Sequence, residues 1–105
     1  MGIAPAPFVN GLAEAVGELR RYLLDMLRRG EIAGCERLLR AMDDIYSLLV
    51  TLDYPDALTG GLRRTTDSVR GILEKTRGDL TLALRQEALI EALRAQEARH
   101  GAAPQ

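Results

Sequence analysis

The sequence predicts an all-α protein, an antiparallel helical bundle of three main helices with a long third helix. Leucine and alanine are its most frequent residues, at 18 and 14 of 105, and both favour helices over strands. In three segments the apolar residues recur in steps of three and four, and no segment shows the alternation that is typical of a strand. Composition and spacing therefore indicate the same fold class.

The first helix is predicted over residues 9–29. Gly30 follows two arginines, where a helix commonly ends in a left-handed residue and where cations complement the helix dipole. Residues 1–7 contain two prolines and no charged side chain, so we expect a disordered leader there. The apolar positions of the helix form one stripe: Leu12, Val16, Leu19, Leu23, Met26 and Leu27.

The second helix is predicted over residues 31–52 and has the most regular apolar spacing in the chain. Cys35 lies within its stripe, where a free cysteine is more often a small buried side chain than a reactive thiol. A single cysteine excludes an internal disulfide and indicates a reducing, cytoplasmic setting. The stripe contains nine residues: Ile32, Cys35, Leu38, Leu39, Met42, Ile45, Tyr46, Leu49 and Leu52.

The third helix is predicted over residues 60–97, after a connector that contains Pro55. At 1.5 Å per residue it is about 57 Å long, whereas each of the other two helices is about 30 Å long. Part of it therefore lacks a neighbour within the chain, and residues 100–105 are expected to form a disordered tail. Five large apolar side chains need a partner, most simply another copy of the chain: Leu82, Leu84, Leu89, Ile90 and Leu93. We expect Leu84, Leu89 and Leu93 to form that contact.

The charge pattern limits the classes of partner. The formal net charge is −1, so no overall basic field attracts nucleic acid. No uncharged stretch is long enough for a membrane-spanning helix. Basic residues nevertheless concentrate in the third helix, where four arginines can line one part of the surface: Arg63, Arg64, Arg70 and Arg77. A solvated face and a nucleic-acid contact both explain this pattern, and the acidic residues between the arginines weaken the second explanation.

Three carboxylates share one face of the first helix: Glu14, Glu18 and Asp25. At 100° per residue they lie within about 40° of each other and away from the apolar stripe. A solvated polar face explains the pattern, and so does a site for Mg²⁺, which prefers oxygen ligands and usually takes one or two carboxylates plus water. Two carboxylates are too few for an enclosed site, so further ligands would have to come from elsewhere.

Several stretches of the sequence together resemble the translin family. Residues 11–20, followed by Gly30-Glu31, resemble the helix that opens the C-terminal half of translin-family proteins. Four later stretches are similar to archaeal and bacterial translin-like proteins: residues 54–59, 61–64, 67–70 and 76–81. The similarity extends over most of residues 8–93, and residues 8–99 are expected to form a single translin-like domain.

The resemblance implies an all-α protein that assembles into rings and binds single-stranded RNA or DNA. It also implies an alternative, because the translin-associated factor X branch is a Mg²⁺-dependent endoribonuclease that uses acidic residues. Glu14 and Glu18 match one acidic pair of that branch, with Glu at the first position where the branch has Asp. On this basis they are candidate catalytic and metal residues, and the four arginines are candidate nucleic-acid contacts.

The resemblance covers only the C-terminal half of the family's chain length. The other half carries a Glu-x-x-Glu pair and much of the basic surface, and a separate chain could supply it. We therefore expect little or no catalysis by this chain alone. Nucleic-acid binding by an oligomeric subunit is the preferred hypothesis, followed by a ribonuclease subunit completed by a partner and by an assembly module without a ligand of its own.

Overall fold

The computed structural model describes residues 6–52 and 56–102, with side chains over 7–52 and 61–101. It contains three α-helices: α1 (Ala6–Arg28), α2 (Ile32–Thr51) and α3 (Asp56–Ala102). The predicted all-α fold is confirmed, and no strand occurs in the described residues. α1 begins at Ala6, so residues 6–7 of the expected disordered leader are helical, since proline is tolerated in a first helical turn. Residues 1–5 of that leader lie outside the described residues. α3 extends beyond 60–97 at both ends, so residues 100–102 of the expected tail are helical.

The turn between α1 and α2 is closed by backbone hydrogen bonds. Gly30 has a φ of 75°, the left-handed conformation that glycine adopts without steric cost. The Gly30 N–H donates to the Leu27 carbonyl over 3.0 Å, and the Glu31 N–H donates to the Met26 carbonyl over 2.9 Å. This is the Schellman arrangement, which satisfies two carbonyls at the end of a helix. The predicted role of Gly30 is confirmed, and the tight turn makes α1 and α2 antiparallel.

The core lies along the axis between the three helices and repeats every seven residues. α1 contributes Val9, Val16 and Leu23, and α2 contributes Cys35, Met42 and Leu49. In α3 the buried positions alternate in steps of four and three: Val69, Leu73, Thr76 and Leu80. Such spacing is typical of helices that pack side by side at a shallow left-handed angle. Val9 was not among the predicted core positions, because α1 starts earlier than its apolar stripe indicated.

The molecule is elongated because α3 is longer than the two helices that it packs against. It spans 47 residues, against 23 in α1 and 20 in α2, and the molecule measures 78 × 19 × 15 Å. All three helices contact one another along the first half of α3. Every side chain from Leu84 to Gly101 is exposed, so this second half extends beyond the bundle. Within the described ranges, no helix has the length and apolar character that crossing a bilayer requires.

Cys35 is part of the packing between α1 and α2. Its side chain is fully buried, and the thiol donates a hydrogen bond to the Leu23 carbonyl over 3.4 Å. Burial raises the pKa of the Cys35 thiol above its ordinary value, which favours the neutral, unreactive form. The prediction of a buried, structural cysteine is confirmed.

Candidate nucleic-acid interface and acidic pair

Three of the four candidate arginines form a stripe along α3. Arg63, Arg70 and Arg77 are seven residues apart, a spacing at which successive positions on a helix differ by only about 20° in direction. Arg64 lies a further 100° around the helix. All four side chains are exposed, so they are accessible to a polyanion.

The arginine stripe (Arg63, Arg70 and Arg77) flanks α2 and includes carboxylate neighbours. Arg77 Nη2 donates to Asp43 Oδ1 of α2 over 3.1 Å. Arg70 Nη2 lies 3.4 Å from Asp67 Oδ1 on its own helix. These side chains are about half exposed, with values between 45% and 58%. Exposed ion pairs of this kind contribute little to stability, so a phosphate could replace either carboxylate at low cost.

A shallow groove lies where the stripe meets α2. It is an open depression of about 300 Å³ lined by Glu36, Leu39, Arg40, Asp43 and Arg77. Two cationic and two anionic side chains share it, so it has no formal net charge. An open, mixed-charge groove is suited to surface contact with a large ligand and does not enclose a small molecule.

A partly buried polar network connects α1 and α3 and was not predicted. Arg20 Nη1 donates to Thr76 Oγ1 over 2.8 Å, and Arg20 Nη2 donates to Asp79 Oδ2 over 2.8 Å. The Thr76 hydroxyl donates to the Ile72 carbonyl over 2.6 Å. These bonds satisfy a hydroxyl that is fully buried in the core. The network therefore links α3 to α1 through side-chain hydrogen bonds next to Arg77 in the sequence.

A signal for this network exists in the sequence. Thr76 occupies a core position of α3 where apolar residues precede and follow it, and a buried hydroxyl needs a partner. Arg20 has a long side chain next to the α1 stripe, and Asp79 lies three residues after Thr76. The spacing shows that Thr76 and Asp79 can share one partner, but the contact between two helices is visible only in the fold.

The acidic pair lies on the opposite side of α1 from the core. Glu14 and Glu18 are both exposed, whereas Val16 between them is fully buried. Glu18 Oε1 is 3.9 Å from Arg21 Nη1, and both side chains are largely exposed, at 64% and 79%. Arg20 bonds to Thr76 and Asp79 instead of to either glutamate. Glu14 and Glu18 are thus not held in a buried ion pair with either arginine.

The structure does not bring the acidic pair and the arginine stripe together. The pair points away from the helices that α1 contacts, and the stripe lies beside α2. Asp25, the third acid of that face, bonds to Arg28 over 2.6 Å. Among the described residues, no group of three His, Cys, Asp or Glu side chains could hold a metal ion. A metal at Glu14 and Glu18 would therefore need ligands from outside these residues.

Comparisons with known proteins identify a similar fold. No protein-family model matches the sequence. The chain is 39% identical over 87 residues to the uncharacterized protein MJ0175 of Methanocaldococcus jannaschii, covering 83% of this chain and 39% of that protein. It is also 42% identical to the crystal structure of AfC3PO, with a TM-score of 0.68, and to AfC3PO in complex with duplex RNA, with a TM-score of 0.67.

The matches to AfC3PO cover 82% of this chain and 46% of the AfC3PO chain. The chain thus spans less than half the length of the proteins that it matches. Its three helices have a translin-like fold, that of part of the AfC3PO chain.

Proposed function

We propose that the chain is an oligomeric subunit of a translin-like, C3PO-like assembly that binds RNA. One observation carries the proposal: the chain is 42% identical in sequence to AfC3PO, whose structure has been determined with duplex RNA. The sequence resemblance pointed to single-stranded RNA or DNA, so single strands and duplexes are both candidate ligands. The buried single cysteine fits a reducing cytoplasm as the place of action.

We infer that Arg63, Arg64, Arg70 and Arg77 supply the phosphate contacts. They are exposed, and guanidinium groups bind phosphate with two hydrogen bonds at once. Their carboxylate neighbours, Asp43 and Asp67, are themselves half exposed and lose little when a phosphate replaces them. The overall charge of −1 then makes binding local, through one stripe instead of a broad field.

The proposal is tested by filter binding to single-stranded RNA, duplex RNA and single-stranded DNA at two salt concentrations. If four phosphates are contacted, affinity should fall roughly 50- to 150-fold between 50 and 200 mM salt, because bound counterions are released. Binding that is insensitive to salt would contradict the arginine contacts. Absence of binding at low salt would favour an assembly module without a ligand of its own.

The acidic pair suggests a second role, as part of a Mg²⁺ site of a ribonuclease. Glu14 and Glu18 are one helical turn apart, exposed and directed away from the core, so their carboxylates can approach a common hydrated ion. Two carboxylates with several retained waters fit the way proteins usually hold Mg²⁺. The remaining ligands would come from a partner, either another copy or a separate chain that supplies the rest of the family's length.

Replacing both Glu14 and Glu18 by glutamine should abolish the weak binding of Mn²⁺, used as a spectroscopic substitute for Mg²⁺, by the chain alone. The matched control Asp25→Asn removes one nearby carboxylate that already bonds to Arg28 and should leave the ion bound. Electron paramagnetic resonance of free Mn²⁺ measures both, and RNA cleavage by the chain alone should be negligible. Equal Mn²⁺ affinity in the wild type and the double variant would contradict the proposed site.

A further inference from the structure

The arginine stripe ends within α3, but the groove beside its last member contains a further cation. One heptad after Arg77 the stripe position is occupied by Leu84. Arg40 of α2 lines the same groove as Arg77, and its side chain is exposed. Arg40 was not among the predicted contacts, because nothing in the sequence of α2 indicates that it faces α3. The groove thus brings together two arginines that lie on different helices.

The position of Arg40 relative to the stripe follows from the register of the two helices. α2 ends at Thr51, and α3 begins at Asp56 and packs back along the bundle, so the two helices run antiparallel. The Asp43 carboxylate accepts a hydrogen bond from Arg77 over 3.1 Å and so marks the level of Arg77 on α2. Arg40 precedes Asp43 by three residues and therefore lies about 4.5 Å further along the direction of α3. It continues the line of cations at a level where the stripe of α3 has none.

The two arginines differ in their present contacts. Arg77 forms an ion pair with Asp43, and the two side chains are 50% and 45% exposed. Arg40 forms no ion pair with a carboxylate of residues 7–52 or 61–101, although Glu36 precedes it by one helical turn. The Asp43 carboxylate thus holds a position in the groove that an anionic oxygen of a ligand can take.

We propose that Arg40 and Arg77 form a phosphate subsite between α2 and α3, in which a backbone phosphate of RNA replaces the Asp43 carboxylate. The two anionic oxygens of a phosphodiester diverge, so each can accept hydrogen bonds from a different guanidinium group. The groove of about 300 Å³ is open to a polymer and has room for one phosphate group. The inference rests on the proposed RNA binding and adds to it one contact, Arg40, and one competitor, Asp43.

The competitor determines which phosphates the subsite accepts. The Asp43 carboxylate belongs to the same molecule as Arg77, so its local concentration at that guanidinium is high and a dilute free phosphate competes with it poorly. A strand already held at Arg63 and Arg70 brings its next phosphate to the groove at a high local concentration too. The exposed ion pair is weak enough to give way to it. The subsite should therefore select a polymer over a mononucleotide.

Filter binding of single-stranded and duplex RNA at low salt tests the contact at Arg40. Arg40→Ala should weaken binding of the preferred RNA about fivefold, as expected for the loss of one phosphate contact. The matched control Arg37→Ala removes the same charge one turn away on α2. The Arg37 guanidinium lies near Gly34, which faces Met26 of α1 and not the groove. The control should weaken binding less than about 1.5-fold, because only screened, long-range attraction is lost.

The competing role of Asp43 predicts a gain of affinity. Asp43→Asn keeps the size of the side chain but removes its charge, so RNA affinity should rise about two- to fivefold. The matched control Asp44→Asn removes the same charge from an exposed residue that points about 100° away, and it should raise affinity less than about 1.5-fold. In an Arg77→Ala background the gain from Asp43→Asn should shrink, because the guanidinium that the carboxylate occupies is gone.

Competition at constant ionic strength identifies the source of the phosphate. Inorganic polyphosphate should displace RNA from the wild type, because its linked phosphates reach the stripe and the groove together. Uridine monophosphate and inorganic phosphate at the same total phosphate concentration should displace little. Equal displacement by all three would overturn the selection of a polymer.

The outcomes separate the subsite from RNA binding itself. If neither the wild type nor Asp43→Asn binds RNA at low salt, the proposed function fails and the subsite fails with it. If the wild type binds RNA in a salt-sensitive manner and each variant merely matches its control, RNA binding is retained and the subsite is overturned. All four single substitutions change exposed or half-exposed side chains, so the helical circular dichroism of each variant should equal that of the wild type.

Discussion

Replacing Leu73 by alanine is expected to lower the free energy of unfolding by about 2 to 5 kcal/mol. Leu73 is 1% exposed at the centre of the three-helix core, so truncation loses buried apolar surface and leaves a cavity. A loss of this size is a large fraction of the stability of a small domain. Urea denaturation followed by circular dichroism measures it.

The control for this substitution is Val50→Ala, since Val50 is 55% exposed on α2. Alanine favours helix more than valine does, so the control should change stability by less than about 0.5 kcal/mol. Similar losses in both variants would show that the core does not lie where the heptad spacing places it.

Replacing Arg63, Arg70 and Arg77 together by alanine is expected to weaken RNA binding about 100-fold at low salt. This estimate assigns about 1 kcal/mol to each phosphate contact. The dependence of log affinity on log salt should also become shallower by about one for each lost contact. Filter binding at several salt concentrations measures both quantities.

The matched control replaces three exposed arginines in α1 and directly after it: Arg21, Arg28 and Arg29. It removes the same charge from α1 and its C-terminal turn, where none of the candidate contacts lies. In this control the RNA affinity should fall less than threefold, because only the screened, long-range attraction between the removed charges and the RNA is lost. Equal losses in both triple variants would assign binding to net charge alone and exclude a specific stripe.

Most of the fold could be predicted from the sequence because apolar spacing determines which face of each helix is buried. All nine residues of the apolar stripe predicted for α2 belong to the core or pack against it. Gly30 has the left-handed conformation that its position after α1 predicted. The helix ends were predicted less well, since neither Pro7 nor the alanine-rich C-terminal segment contains a signal that stops a helix. Leu84 follows the helical spacing of the α3 core yet is 40% exposed, because no neighbouring helix reaches that far.

The candidate site was less predictable because it depends on contacts between helices. The four arginines and the acidic pair were identifiable as exposed, charged positions on regular helices. The carboxylate partners Asp43 and Asp79 were not identifiable. Each accepts a hydrogen bond from an arginine that lies on another helix and more than 30 residues away in the sequence. Whether Glu14 and Glu18 bind a metal, and whether the arginines bind RNA, depends on molecules outside the chain and stays a prediction.

The length of α3 also affects how homologous sequences can diverge. Its first half belongs to the core on one side, and its second half has no neighbour within the part of the chain that the structure describes. Substitutions at Leu73 or Thr76 therefore change buried side chains of the core, whereas those at Leu89 or Leu93 change exposed side chains outside it. Sequence change in the second half can therefore alter the exposed surface of α3 while the three-helix core keeps its stability.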